Sequence, residues 1–428
     1  MSKFKKVKLG DIFTLEKGSL QSSKCTPGEY DFITAATEWK THESYSHDCE
    51  AIIYAVAASG SLGRVHYVNG KFIASDLCFI MQEKDKEKYP INFQFYQIIF
   101  EVLRDEIVSK TKAGTSKESI SQKNLSNYEI PYFDYDFQIA NYERLVDAKK
   151  KVSELLEEAE SQKEYTKQLR QNILQDAIEG KLTADWRKTH PVIKGNPDYD
   201  AEALFEKIQK EKATDKKQKK LQPITDEEKP FEILEGWKWV RLGEICKSIT
   251  DGDHLPPPKS AKGIPFLVIS DISSGKIDFR ENRFVSSEYY EQLPFEKKPV
   301  EGDILYTVTG SYGIPIFVNS LRFCVQRHIG IIKPIENVKN YMYFYLMSSI
   351  CKKQADKVAW GVAVKTIPIK ELRNFLLPLP PLKEQEEIVT KVETLLAKVT
   401  ELENQIQERE TYTKQLMQSI LKNAFEEE

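Results

Sequence analysis

Residues 114–179 recur, without a gap, as residues 361–426, and this duplication constrains the fold more than any other property of the chain. Tyr165-Thr166-Lys167-Gln168-Leu169 returns 247 residues later as Tyr412-Thr413-Lys414-Gln415-Leu416. Around these blocks Ile120, Lys123, Leu125, Asn127, Pro131 and Gln138 match Ile367, Lys370, Leu372, Asn374, Pro378 and Gln385. Fainter matches lie upstream. Val7-Lys8-Leu9-Gly10-Asp11-Ile12 echoes Val240-Arg241-Leu242-Gly243-Glu244-Ile245, and Gly60-Ser61-Leu62-Gly63 echoes Gly310-Ser311-Tyr312-Gly313. A period of about half the chain is too long for a solenoid repeat, so the duplicated object is a domain with its tail.

The tail reads as helix. Leu145, Ala148, Val152, Leu155, Ala159, Leu169 and Ile173 alternate at spacings of 3 and 4, with Gln162 and Thr166 filling the remaining seam positions. The second copy keeps that register with Val392, Leu395, Val399, Leu402, Ile406, Arg409, Thr413, Leu416 and Ile420. About 28 residues between outer seam positions, at about 1.5 Å each, span about 40 Å, more than one compact domain usually covers. The two helices are therefore expected to pair as an antiparallel coiled coil, with Ala159 near Ile406 at the crossing and polar seam residues fixing the register.

The segments before each helix differ in texture. Short apolar runs such as Ala51-Ile52-Ile53-Tyr54-Ala55-Val56 and Ile329-Gly330-Ile331-Ile332 are punctuated by Gly, Pro and Asn, as strands are. Helical patches at residues 93–108 and 341–357 occupy corresponding places. The predicted fold class is α+β: two α/β-type domains in a pseudo-two-fold repeat, separated by an antiparallel coiled coil of two long helices. The expected divisions are a first domain at 1–136, a central helix at 137–182, a charged linker at 183–235, a second domain at 236–381 and a C-terminal helix at 382–428. The Lys-rich run from Lys207 to Lys220 reads as a solvated helix or a loose linker.

Composition narrows the function. The chain has 428 residues, 40% hydrophobic and 30% charged, enough for two cores. No apolar run approaches the roughly 20 residues of a membrane helix, and the N-terminus has no signal core, so a cytoplasmic location is expected. Six scattered cysteines without a C-x-x-C pair argue against a zinc ribbon and suit a reducing compartment. The irregularly spaced His42, His47 and Cys49 do not suggest a metal site. A net charge of −3 averages acidic helices with other surfaces and decides nothing about a polyanionic partner.

Catalytic motifs are missing. The chain has no G-x-x-x-x-G-K-[ST], H-E-x-x-H or G-x-S-x-G, and Asn196-Pro197-Asp198-Tyr199 lacks the second proline of an amino-methyltransferase motif. Pro197-Asp198 followed by Glu206-Lys207 is only a faint nuclease pattern within a helical stretch. No catalytic residue is expected. The domains offer instead Gly-rich turns with cations and hydroxyls, which suit phosphate oxygens and base edges. The candidate ligand contacts are Ser59, Ser61, Arg64, Lys112, Thr115 and Lys117 in the first domain. In the second they are Thr309, Ser311, Tyr312, Arg327, His328, Lys365 and Thr366. Thr250-Asp251-Gly252-Asp253-His254 lacks the ligand spacing of a calcium loop and is expected to be a surface loop.

Leu379-Pro380-Pro381-Leu382-Lys383-Glu384-Gln385-Glu386-Glu387-Ile388-Val389 resembles the start of the distal conserved helix in specificity subunits of type I restriction-modification systems. Gly180-Lys181-Leu182-Thr183-Ala184-Asp185-Trp186-Arg187 is similar to the end of their central helix. Gly236-Trp237-Lys238-Trp239-Val240-Arg241-Leu242-Gly243-Glu244-Ile245 resembles the start of their second recognition domain. One departure is Asp134-Tyr135-Asp136-Phe137 where the second copy has Pro381-Leu382-Lys383-Glu384. The resemblance implies two domains that each read half of an asymmetric bipartite site in double-stranded DNA. It further implies docking of two modification (methyltransferase) subunits and of restriction subunits. S-adenosylmethionine, ATP and Mg belong in those partners, with no cofactor in this chain and no membrane involved. A non-DNA scaffold, in which the coiled coil spaces two protein-binding modules, stays open as the alternative.

Overall fold

The computed structural model of the chain describes residues 4–57, 60–113, 118–212, 221–254, 257–280, 283–319 and 322–426. They form two units: residues 1–162 with 405–428, and residues 163–404. Each long helix, Tyr135–Ile178 and Leu382–Glu426, thus contributes one part to each unit.

In the first unit six strands form one sheet in the order Phe13–Lys17, Cys78–Glu83, His47–Ala55, Val65–Ala74, Tyr30–Ile33, Lys40–His42. The pairing of Tyr30–Ile33 with Val65–Ala74 is parallel and the others are antiparallel. Successive side chains of a strand point to opposite faces, and the apolar run in His47–Ala55 feeds both. Ala51, Ile53 and Ala55 pack with Ile33 and Val68 on one face. Ile52 and Tyr54 pack on the other with Phe95, Tyr96, Ile99 and Phe100 of helix Phe93–Val102. That helix starts at Asn92, whose side chain accepts the Phe95 N–H at 2.8 Å.

The second unit repeats the plan, with the two strands corresponding to His47–Ala55 and Val65–Ala74 much shorter. Cys246–Asp251, Ile329–Pro334, Ile304–Thr307 and Pro315–Phe317 lie in the order of the first four strands above, all antiparallel. Helices Lys339–Met347 and Ser349–Val358 stand where the first unit has Phe93–Val102 and Arg104–Thr111. A three-stranded sheet, Arg283–Val285, Ile264–Leu267 and Cys324–Val325, completes it. The chain is α+β, and the duplication extends to strand order.

Matched residues of the repeat sit where each long helix leaves its sheet. Glu129–Phe133 pairs with Phe4–Lys8, and its counterpart Leu376–Leu379 pairs with Lys238–Arg241. Buried Gln138 donates to the carbonyls of Phe133 and Pro90 at 2.8 and 3.0 Å, and Gln385 donates to Pro380 at 2.8 Å. Tyr96 donates to the Pro131 carbonyl at 3.2 Å, and Tyr341 to the Pro378 carbonyl at 2.7 Å. Side chains thus supply donors to backbone carbonyls at each junction.

Within each unit the helices run antiparallel. In the first, the Arg409 guanidinium bonds to Gln162, its own equivalent in the repeat. The crossing thus lies at Gln162 and Arg409, not at the expected Ala159 and Ile406. In the second, Arg170 donates to Glu403 at 2.8 and 2.7 Å and to Thr400 at 2.6 Å. Burial follows every seventh residue: Leu145, Val152, Ala159, Thr166 and Ile173 on one helix, Val392, Val399, Ile406 and Thr413 on the other, with Ile420 half-buried. The intervening row departs from expectation, because Leu155, Leu169, Leu402 and Leu416 are 39% to 45% exposed. Small residues at the centre, Ala159, Thr166 and Thr413, concentrate the contact on one row and leave the other at its edge. The registers set by Gln162 and Arg170 bring Leu155 opposite Leu416 and Leu169 beside Leu402.

Part of the connector is a helix with one face packed and its lysines Lys207 and Lys210 exposed. Helix Ala201–Lys212 buries Ala201, Leu204 and Ile208, the latter two in the second unit's core, and its terminal Lys212 donates to the carbonyls of Gly243 and Glu244. Residues 213–220, with much of the lysine run, lie outside the described residues. The Pro197 and Asp198 carbonyls accept the N–H groups of Leu382 and Lys383 at 3.1 and 3.2 Å, capping the distal helix. Beside that cap Glu384, 2% exposed, accepts from Thr183 at 2.7 Å, from the Trp237 indole at 2.7 Å, and from Arg187. Removing one partner from such a buried charged cluster strands the others. Glu384→Ala should therefore destabilise the second unit by about 3 kcal/mol, read as a lower urea midpoint. Glu386→Ala, whose exposed carboxylate only pairs with Lys383, should stay within about 0.5 kcal/mol.

Candidate nucleic-acid interface

Two turns at equivalent places are built alike. Gly60 and Gly63 flank the first, Gly310 and Gly313 the second, and all four have φ between 70° and 96°, the left-handed region that glycine enters without strain. A basic side chain from the following helices and a buried tyrosine from the sheet line each turn: Arg104 and Tyr54 at Gly63, Lys352 and Tyr306 at Gly313. Arg104 donates to the carbonyls of Leu62 and Gly60 at 2.8 and 3.2 Å, so the turn's backbone is held from below. Lys352 lies 3.6 Å from the Tyr312 ring centre, while the Tyr312 hydroxyl donates to Asp356 at 2.7 Å. The Tyr312 hydrogen bond, then Lys352, keeps the Asp356 carboxyl below its ordinary range. Arg104 and Lys352 were missed in the sequence, because each acts across more than 35 residues of chain.

A short hairpin stands beside each turn. Ala113 pairs with Ser119 in the first unit and Trp360 with Thr366 in the second, the same positions of the repeat. In the first unit Ile120 donates to Val56, joining this hairpin to the sheet that ends in the turn. In the second, Gly310 donates to the Lys365 carbonyl at 2.9 Å and the Thr309 and Thr366 hydroxyls meet at 3.2 Å.

The candidate residues fall as follows. Ser59, Thr115 and Lys117 lie outside the described residues. Ser61 is in the first turn and accepts from Arg64 at 3.1 Å; Arg64 also donates to the Ala35 carbonyl at 2.5 Å, which ties it to the fold. Lys112 pairs with Glu118 at 2.7 Å. In the second unit Thr309, Ser311, Tyr312, Lys365 and Thr366 gather at the turn and hairpin, and the His328 carbonyl accepts from Val308 next to them. Burial, then the adjacent Arg327 guanidinium, lowers the His328 pKa, leaving a neutral ring at pH 7. Asp253, expected in a surface loop, is instead enclosed: Lys297 donates to it at 3.0 Å, Tyr289 bonds to it, and its carbonyl accepts from Arg327. His42 and His47 serve local bonds to Thr26 and to Ser46 and Glu16. Among the described residues no group of His, Cys, Asp and Glu could hold a metal ion.

Paired faces of turn backbone, hydroxyls and cations, carried on two copies of one unit, place the molecule among duplicated recognition proteins. The sequence matches the family described as the type I restriction modification DNA specificity domain over residues 1–163 and again over 234–409, and the chain belongs to that family. It is a family of recognition subunits, not of enzymes. The EcoDI specificity subunit of Escherichia coli is 23% identical over 99% of this chain and 88% of its own length. The EcoBI specificity subunit of Escherichia coli is 30% identical over 45% of this chain, and the match spans 42% of that protein. The crystal structure of the HsdS subunit from Thermoanaerobacter tengcongensis shares the fold at a TM-score of 0.51 and 19% identity, covering 99% of this chain and 97% of that one. A chain solved in work on assembly and conformational transition of the type I R-M system shares it at 0.62 and 18%, with the same coverage.

The clamps under the two turns differ in strength, and stability should show it. Arg104→Ala removes two charged hydrogen bonds and should cost about 2 kcal/mol, seen as a lower thermal midpoint. Lys352→Ala, which loses a contact to a partly exposed ring, should cost less than about 1 kcal/mol.

Proposed function

We propose that this chain is the DNA-reading subunit of a type I restriction-modification complex. Each unit reads one half of an asymmetric bipartite site in double-stranded DNA, the interrupted sequence between being unread. The observation that carries this reading is the recurrence of one constellation, a glycine turn over a basic clamp beside a hairpin, on two units whose loop sequences have diverged. Conserved scaffolding with divergent tips is what two different half-sites require. The candidate contacts above are the residues we assign to that surface, phosphate contacts fixing position and base contacts supplying specificity.

The helices support the second part of the proposal, the docking of two methyltransferase subunits, with restriction subunits joining the same complex. Leu155 with Leu416, and Leu169 with Leu402, present exposed leucine pairs at equivalent places in the two units, and Tyr165 and Tyr412 are exposed as well. Equivalent apolar patches suit two copies of one partner. S-adenosylmethionine, ATP and Mg act in those partners.

Exchanging residues 1–136 for the corresponding domain of another member should change one half-site only, mapped by single-molecule detection of methylated adenines. Loss of both half-sites would sink the division of labour. The double substitution Leu169→Asp with Leu402→Asp should reduce co-purification of methyltransferase subunits at least tenfold. Undiminished capture would remove these leucines from the docking surface.

A further inference from the structure

The segments at equivalent positions of the repeat, 114–118 and 361–365, differ in sequence chemistry. The first reads Gly114-Thr115-Ser116-Lys117-Glu118, rich in hydroxyls and charge; the second reads Gly361-Val362-Ala363-Val364-Lys365. Trp360 is 67% exposed, Val364 56%, and Val362 wholly so. Three large apolar side chains within five residues, all standing in water, oppose the hydrophobic effect unless something covers them.

The tip does not stand out by looseness. Trp360 and Thr366 exchange backbone hydrogen bonds at 3.1 and 2.8 Å, and Gly310 anchors Lys365 to the neighbouring turn. Gly361 has φ +123°, and a Cβ there would collide with the Val364 carbonyl oxygen, so the backbone path is set by a residue without a side chain. The ground around the tip is cationic. Helix Ser349–Val358, which leads into the hairpin, carries Lys352 and Lys357 on either side of one carboxylate, Asp356, and that carboxylate is taken by Tyr312 and Lys352. Lys365 closes the tip on the other side.

Exposed apolar side chains in a hairpin that also carries Lys365 and follows a lysine-bearing helix match a polyanion with apolar groups set behind its charges. Duplex DNA is such a surface: thymine C5-methyl groups line the major groove between phosphate ridges, and apolar side chains are their natural partners. We propose that Val362 and Val364, steadied by Trp360, read thymine methyl groups in the half-site of the second unit. That half-site is then recognised through apolar contacts where the first unit uses hydrogen bonds. The inference rests on the DNA-reading role proposed above.

The test uses the full chain with its methyltransferase subunits and a duplex bearing the mapped site. Each thymine of the half-site assigned to residues 236–381 is replaced singly by deoxyuridine, which lacks only the methyl group. At least one replacement should weaken binding about fourfold, the worth of one buried methyl. In the Val362→Ser, Val364→Ser chain that replacement should change nothing. Equal binding of every deoxyuridine duplex by the unmodified chain overturns the inference, as does a penalty that persists in the variant, or a half-site without thymine. A variant that binds DNA like the unmodified chain but loses its partner subunits assigns the tip to a protein contact, which also overturns it. In each of these cases preference for the mapped site survives. Absence of any preference on the unsubstituted duplex is instead the failure of the DNA-reading role itself.

Discussion

A buried glutamine amide ties each long helix to the chain just before it, a tyrosine hydroxyl ties the junction strand to a shorter helix of the same unit, and the orientation of the unit on its long helix depends on these ties. Gln138 and Tyr96 hold the first unit's junction, Gln385 and Tyr341 the second's, bonding carbonyls at or beside the junction strand. Leaving such a carbonyl unpaired in the interior costs about 1–3 kcal/mol, so swinging the helix away from its sheet is resisted several times over. A unit fixed to its helix in this way transmits to the helix whatever position its loops adopt on a ligand. The matched Pro131 and Pro378 belong to the same device, since a proline in an edge strand adds no N–H to be satisfied there.

The second junction has an additional fastening. Glu384, one residue before Gln385, gathers donors from Thr183, Arg187 and Trp237, three points on the connector and the following strand. The first copy has Phe137 at that place, stacked on Phe133 at 4.9 Å between ring centres. One duplicated junction is thus closed by charge and the other by aromatic packing.

What could be read from the sequence was local or periodic. The repeat exposed the helices, their shared register and the glycine turns, because each of these is written in consecutive residues or at constant spacing. The connector's packing was hidden, although Ala201, Leu204 and Ile208 keep the spacing of a buried helix face, because the lysines around them dominate its composition. The partition of the seam was hidden too: leucine at positions 155, 169, 402 and 416 looks the same whether a helix contact is two rows wide or one. The clamps at Arg104 and Lys352 and the Glu384 cluster join residues far apart in sequence, and no pattern along the chain announces them. The exposure of Trp360, Val362 and Val364 stood out only once their side chains were located on the fold.

The first unit is not continuous in sequence, since residues 405–428 complete it. That has a consequence in time. As the chain is synthesised, the seam residues Leu145, Val152 and Ala159 emerge long before the segment that covers them. At about 5–20 residues per second, the interval is on the order of ten to fifty seconds. During it the first sheet and its helices can form around their own core, while the apolar edge of the central helix waits in solvent. Folding of the first-made half therefore finishes last, and a nascent chain passes through a stage in which its most association-prone surface is open.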